Sequence, residues 1–160
     1  MTPDAKNAQG LLLTRVLEAP QARVFKAWTD PKELATWWGP HGFTTPVCNV
    51  DARPGGALYL EMRGPEGSGF EGPYPMWGTF VEIDEPRRIV FRAVLKNGDG
   101  EIFLETLDSV TLDGVDGTTK LTLDVRVKTA GPEAAAPLEG MPEGWNQSLE
   151  RLAAFVAVRS

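Results

Sequence analysis

The sequence predicts an α+β fold in which a curved antiparallel sheet of about six to seven strands wraps around one long C-terminal helix. Three observations lead to this prediction. Two short helical segments follow the first predicted strand, apolar and polar residues then alternate through about six further segments, and a helical apolar period closes the chain. Helices on one side of an antiparallel sheet form a layered fold, and a curved sheet around one helix can leave a cavity between them.

The first strand is predicted at residues 11–18, and two short helices follow it. Pro20 suits the first turn of a helix. A backbone N–H in that turn has no partner within the helix, so a proline, which lacks the N–H, loses no hydrogen bond there. Asp30 is predicted to cap the second helix, with Pro31 as the first helical residue. Gly39-Pro40 then ends this helix.

A period of two begins near residue 43 and predicts the body of the sheet. Asn97-Gly98 and residues 113–117 are turn signals between strands. The Gly- and Pro-rich residues 64–75 are expected to form a mobile loop, and its Gly-rich residues 64–69 are expected to form a flap over the cavity mouth. The predicted strands cover residues 47–51, 58–63, 76–83, 88–95, 102–112 and 119–129.

The C-terminal helix is predicted to begin after Gly144. Residues 130–144 are rich in Pro, Gly and Ala, whereas apolar residues recur at helical spacing from Trp145 to Val156. This spacing gives the helix one apolar face, which can lie in the curve of the sheet.

The composition excludes several classes of function. The chain has 160 residues, of which 42% are hydrophobic, and this suits one domain with one core. Lys and Arg total 16 against 22 Asp and Glu, and the net charge of −6 argues against nucleic-acid binding and against a polybasic membrane anchor. One Cys and one His argue against a disulfide and against a Cys-rich or poly-His metal site. We expect no metal and no cofactor.

The sequence predicts a short tail followed by a single domain, and a location in the cytoplasm. Residues 1–10 are polar and are predicted to form a disordered tail, and residues 11–158 are predicted to form the domain. No apolar segment resembles a secretory signal, and none approaches the ~20 residues of a membrane span. We therefore expect no membrane insertion. Formation of a homodimer is left as an alternative, although no apolar stripe in the sequence demands it.

Several short motifs, taken in their order along the chain, resemble the START-like helix-grip superfamily. Within it, they resemble the stand-alone bacterial domains similar to the C-terminal domain of the activator of the heat-shock-protein-90 ATPase. The resemblance covers residues 11–158 and implies a curved antiparallel sheet around the C-terminal helix. The motifs are Arg15 with Ala19-Pro20 and residues 24–31, 34–40, 51–56, 62–67, 117–119 and 144–152.

The resemblance also implies a class of function. Many members of the superfamily hold lipids, sterols, polyketides or other apolar ligands in the groove, and some act as cyclases or dehydratases. The chaperone role in the family's name belongs to a longer two-domain protein, and a chain of this length does not include its N-terminal domain. A small apolar molecule is therefore the expected partner, and a chaperone is the less favoured one.

The aromatic and aliphatic residues supply the candidate binding site. Five Trp in a chain of this length can line an apolar pocket and offer an indole N–H as a polar handle, although ordinary core packing explains them equally well. The residues predicted to line the pocket are Trp38, Leu60, Met62, Trp77, Phe91, Trp145, Leu149 and Leu152.

Two residues are weak candidates for acid–base catalysis. His41 is the one side chain whose ordinary pKa lies near neutrality, but a surface loop position explains it better. Glu105 shares its strand face with Phe103 and Leu107, which makes it the most interesting of the strand glutamates for a position in the cavity, although strand glutamates are usually solvated. Cys48 is interpreted as a small buried hydrophobe rather than a nucleophile. No catalytic residue is assigned.

Three functional hypotheses differ in what they predict for the interior. The leading hypothesis is non-covalent binding of a small hydrophobic or amphipathic molecule between the sheet and the C-terminal helix. The second is a cyclase- or dehydratase-like enzyme, which requires a titratable group with a shifted pKa facing the cavity. The third is a protein-interaction module of the co-chaperone kind, which requires a filled interior and an exposed apolar patch of several hundred Å².

Overall fold

The computed structural model describes residues 10–157, and a seven-stranded antiparallel sheet forms its framework. The strands are β1 (Leu11–Leu17), β2 (Thr44–Val50), β3 (Ala57–Arg63), β4 (Tyr74–Asp84), β5 (Arg88–Lys96), β6 (Ile102–Val115) and β7 (Thr118–Ala130). Their order in space is β1-β7-β6-β5-β4-β3-β2, so β1 and β2 are the two edges of the sheet.

Three helices pack on one face of this sheet, which we call the inner face. They are α1 (Gln21–Thr29), α2 (Pro31–Trp37) and α3 (Ala135–Ala157), with a short 3-10 turn at Pro132–Ala134 before α3. The predicted architecture is therefore confirmed: two short helices follow the first strand, and one long helix follows the last.

Local sequence signals explain where the two short helices meet. Asp30 caps α2, because its Oδ1 accepts hydrogen bonds from the backbone N–H groups of Lys32 and Glu33 at 2.9 and 3.3 Å. Trp37 at the end of α2 then donates from Nε1 to the carbonyl oxygen of Ala27 at 2.9 Å. This buried bond holds α1 and α2 together as one unit.

The C-terminal helix begins at Ala135, earlier than the predicted start after Gly144. Pro137 lies in the first turn, where a backbone N–H has no partner within the helix. Pro142 lies inside the helix and removes one backbone hydrogen bond, and Gly140 has a low helix propensity. The first half of α3 is thus a weak helix, and its Pro and Gly content explains why the sequence pattern did not predict it.

Two predictions concern the ends of the chain and membrane spans. The tail predicted at residues 1–10 lies outside them except for Gly10, and so does residue 158 of the predicted domain. Within residues 10–157, no helix has both the length and the apolar character that are needed to cross a membrane.

The interior between the sheet and the helices has two halves. In the packed half, side chains of α1 and α2 meet inner-face residues of β6 and β7. Gln21 fixes this contact, because its Nε2 donates to the carbonyl oxygen of Leu112 at 2.6 Å. The packed half contains Val24, Trp28, Trp37, Val110, Leu112, Leu121 and Leu123, all 3% exposed or less. The open half lies between the sheet and the first half of α3.

Candidate functional site

A cavity of about 350 Å³ occupies the open half. Five strands, helix α3 and the loop after α2 contribute to its walls, and most of the contributed side chains are apolar. This volume lies at the lower end of the ~300–1,000 Å³ that is typical of small-molecule sites. The lining residues are Trp38, Gly39, Pro40, Met62, Met76, Ala93, Leu95, Leu104, Thr106, Asp108, Val125, Pro137, Gly140, Met141, Gly144, Trp145 and Ser148.

Side-chain size explains why this half of the interior stays open. Gly140 and Gly144 face it from α3, and a Cβ added at either position would meet no heavy atom within 4 Å. Three of the four methionines of the chain line the cavity as well. Methionine is unbranched and adapts to irregular space, so these walls can fit more than one molecular shape.

Asp108 is the carboxyl group of the cavity wall. It lies on the inner face of β6, is 4% exposed, and its Oδ1 is buried without a hydrogen-bond partner. Burial raises the pKa of Asp108 to about 7, a hydrogen bond from the Thr106 hydroxyl opposes this shift, and the charge of Asp124 adds to it. The cavity therefore contains a carboxyl group that titrates near neutral pH.

The candidate carboxylate predicted from the sequence, Glu105, lies on the opposite face of the sheet. It forms an ion pair with Arg92, whose Nη2 lies 2.8 Å from its Oε2. The prediction for Glu105 is therefore corrected: it does not line the cavity, and Asp108 three residues later does.

The error concerns which face of β6 points inward. Phe103 and Leu107 suggested the face that contains Glu105, but the buried residues of β6 belong to the alternate set. Over Ile102–Val115, that set includes four aliphatic residues, against three apolar residues in the other set. The four are Ile102, Leu104, Val110 and Leu112, and the three are Phe103, Leu107 and Val115. A count of the apolar residues on each face of the whole strand would have predicted the inward face correctly, and this face contains Asp108.

The predicted pocket residues fall into three groups. Trp38, Met62 and Trp145 line the cavity. Trp77 lies on the outer face of the sheet, where its ring contacts Tyr59 and the ammonium group of Lys96, and its prediction is corrected. The other four are buried core residues that do not line the cavity: Leu60, Phe91, Leu149 and Leu152.

Four tryptophans separate the packed half from the cavity. Trp145 packs edge-on against Trp38, with ring centroids 5.2 Å apart, and stacks on Trp28 at 6.1 Å. Trp37 completes the group at 4.8 Å from Trp28. The Nε1 of Trp28 is buried without a hydrogen-bond partner. Trp38 and Trp145 of this group line the cavity, and Trp28 and Trp37 pack behind them.

His41 lies in the loop that leads from α2 to β2 and contacts α3 rather than the cavity. Its Nε2 lies 2.8 Å from Oε1 of Glu150, and its backbone N–H donates to Oε1 of Gln147 at 2.9 Å. The side chains of His41 and Glu150 are 57% and 62% exposed. The residue therefore joins two surface elements, and its partner lies too far along the chain for the sequence to reveal it.

Arg151 on α3 fixes the same loop and was not singled out from the sequence. Its guanidinium group donates to five backbone carbonyl oxygens at 2.9–3.3 Å, and its burial lowers the pKa of the group. Ser148, one turn earlier, accepts a hydrogen bond from the N–H of Gly39 at 3.1 Å. The five carbonyl groups belong to Thr36, Trp38, Gly39, Pro40 and Phe43.

The remaining candidates lie away from the cavity lining. Burial raises the pKa of the Cys48 thiol to about 11, with a further contribution from Asp30, so the thiol is not activated as a nucleophile. No residue of the predicted loop at 64–75, and so none of the predicted flap at 64–69, lines the cavity. Within residues 10–157, no group of three or more His, Cys, Asp or Glu side chains is arranged to hold a metal ion.

Solved structures with the same fold cover almost the whole chain. A protein from Chromobacterium violaceum is 30% identical, with a TM-score of 0.81, over 94% of this chain and 98% of that one. The AHSA1 protein from Silicibacter pomeroyi is 25% identical, with a TM-score of 0.77, over 94% and 99% of the two chains. A protein from Nitrosomonas europaea is also 25% identical, with a TM-score of 0.75, over 94% and 95%.

A family model agrees with these structural neighbours. No curated protein matches this sequence. The family described as "Activator of Hsp90 ATPase homolog 1-like protein" matches residues 18–157, which is most of the chain. The predicted resemblance is thereby confirmed, and the chain belongs to the Activator of Hsp90 ATPase homolog 1-like family.

Proposed function

We propose that the protein binds a small apolar or amphipathic molecule in the cavity between the sheet and α3. The observation that carries this proposal is an apolar cavity of about 350 Å³ next to a half of the interior that is occupied by buried aromatic and aliphatic side chains. Burial of about 200 Å² of apolar ligand surface would contribute roughly 5 kcal/mol before the entropic cost of binding. This suits a weak to moderate binder. The proposal keeps the expected cytoplasmic location.

Native mass spectrometry of the purified protein tests this proposal. We expect an additional mass on the intact protein and release of an apolar molecule on denaturation. Two variants with the same substitution provide the control: Trp145→Ala alters the cavity wall, and Trp77→Ala alters the outer face.

The expected result is loss of the bound mass in Trp145→Ala and retention in Trp77→Ala. Circular dichroism of both variants checks that each is folded. Retention in both variants would place the molecule elsewhere, and wild-type protein that binds no apolar probe would contradict the proposal.

Acid–base catalysis is the second candidate function. The observation that favours it is Asp108, whose pKa is raised to about 7 by burial and which lines the cavity. A general acid or base is most effective when its pKa lies near the working pH. Among the cavity-lining residues, Asp108 is the one titratable side chain, so it would have to serve as both acid and base. A catalyst would release a changed molecule, whereas a binder releases the molecule unchanged.

No specific observation favours the protein-interaction hypothesis. It requires a filled interior, and the open half contains a cavity instead. The exposed large apolar side chains are spread over three strands and the 64–75 loop: Leu12, Val16, Phe70, Tyr74, Val81, Ile102 and Val115.

A further inference from the structure

We propose that Asp108 makes the cavity selective for apolar molecules that carry a protonated amine. This inference rests on the proposed binding function and specifies the chemical class of the ligand. It follows from one carboxyl group, buried without a hydrogen-bond partner for Oδ1, in a wall that is otherwise almost entirely apolar.

The first step concerns the missing partner. A buried carboxyl oxygen without a donor loses the hydrogen bonds that water would supply, and such a loss is costly. Among the described residues that line the cavity, none is Lys, Arg or His. A molecule in the cavity can therefore supply Asp108 with a charged donor, in addition to the hydrogen bond from the Thr106 hydroxyl. Rotation about χ2, a soft torsion in Asp, can present either oxygen to that molecule.

The second step concerns the charges around Asp108. Asp124 on β7 is acidic and disfavours a negative charge at this position. On β5, the nearby cation Arg92 is paired with Glu105 on the outer face of the sheet. On α3, Arg151 donates to backbone carbonyl groups of the loop after α2. Among the described residues that line the cavity, no cation therefore lies beside Asp108.

The third step compares ligand groups. An ammonium group supplies several donors and an opposite charge, and charge-assisted hydrogen bonds are about twice as strong as neutral ones. A hydroxyl group supplies one neutral donor. A carboxylate group would bring a second negative charge next to Asp108 in an apolar environment, which is unfavourable. The expected order of affinity is amine, then alcohol, then carboxylate.

Three molecules with the same apolar tail test this order: octylamine, octanol and octanoate. Their binding can be followed by NMR on protein with methyl-labelled methionine, because Met62, Met76 and Met141 line the cavity. At about pH 8 an alkylammonium group remains protonated, as a lysine does, and most of Asp108 is ionised. We expect octylamine to bind about tenfold more tightly than octanol, or better.

Two carboxyl-to-amide substitutions on the same strand sharpen the test. Asp108→Asn should abolish the preference for octylamine while octanol still shifts the methionine signals, which also shows that the variant is folded. Glu105→Gln, on the outer face, should keep the full preference.

The outcomes distinguish the two proposals. Equal binding of octylamine and octanol by the wild type, or a preference that survives in Asp108→Asn, would overturn the amine inference and leave the binding function intact. If none of the three molecules shifts the methionine signals, both proposals fail.

Discussion

The packed half and the open half of the interior are built on the same strands. On β6, Val110 and Leu112 are completely buried in the packed half, and Leu104 and Asp108, earlier on the same face, line the cavity. On β7, Leu123 is buried in the packed half and Val125 lines the cavity. The sheet pattern is the same in both halves, and the difference lies in the elements that cover it.

The covering elements differ in side-chain size and in helix stability. Over the packed half, α1 and α2 supply Trp28 and Trp37, and a buried hydrogen bond joins the two helices. Over the open half, α3 supplies Gly140 and Gly144 and contains Pro142. The comparison teaches that one amphipathic sheet can support a solid core or a ligand cavity, according to the residues opposite it.

The largest expected effect is on the packed half. Trp37→Ala removes a fully buried side chain and its hydrogen bond, and we expect it to lower the free energy of unfolding by about 3–5 kcal/mol. Met76→Ala in the open half enlarges an existing cavity and should cost about 1 kcal/mol, since the residue is only partly buried. Urea unfolding of both variants measures the difference, and equal losses would contradict the division into two halves.

The next effect concerns the pH dependence of stability. The ordinary pKa of Asp108 is 3.8, and burial raises it to about 7 in the folded protein. Between these values the folded state keeps a proton that the unfolded state has lost. The contribution of Asp108 therefore lowers stability as pH rises from about 4 to about 7, and the full penalty is present above that range.

Asp108→Asn should remove this penalty. Relative to the wild type, we expect the variant to gain up to about 4 kcal/mol in the free energy of unfolding near pH 8 and almost nothing near pH 4. Urea unfolding at the two pH values measures the gain. As a control, Glu105→Gln should change stability by less than about 1 kcal/mol at either pH, because it removes an ion pair near the surface. A gain for Asp108→Asn that did not vary with pH would contradict the assignment.

The smallest expected effect concerns two glycines that line the cavity. Gly144→Ala adds a Cβ that meets no heavy atom within 4 Å and improves helix propensity, so it should stabilise the protein by about 0.5–1 kcal/mol. Gly39→Ala should destabilise it, because Gly39 has a φ of +104° and the new Cβ would lie 3.0 Å from Sδ of Met62. Thermal unfolding compares the two, and destabilisation by Gly144→Ala would show that this part of α3 is tightly packed.

The sequence predicted the elements of this fold better than the cavity they enclose. Alternation located every strand, and Asp30-Pro31 located the start of α2. The inward face of β6 was ambiguous because apolar residues occur on both of its faces. The same ambiguity on β4 led to the wrong prediction for Trp77, which lies on the outer face of the sheet. Met62 and Trp145 were predicted as pocket residues because each lies on an element whose apolar face is clear.

Contacts between distant parts of the chain could not be predicted in this way. The pair of His41 and Glu150 is separated by 109 positions, and the carbonyl groups that Arg151 binds carry no sequence signal of their own. Whether Oδ1 of Asp108 has a hydrogen-bond partner depends on which side chains the fold brings near it. Such an absence has no local pattern.

Two segments that contribute to the cavity lining differ in their hydrogen bonding, and this has a consequence for the lifetime of a bound molecule. One segment is the loop after α2, which Arg151 holds by several hydrogen bonds. The other segment is the part of α3 that contains Gly140 and Pro142, where one backbone hydrogen bond is missing. We expect molecules to enter and leave by local opening of this segment. Residence time would then depend on the stability of a short stretch of helix, and affinity on the cavity walls.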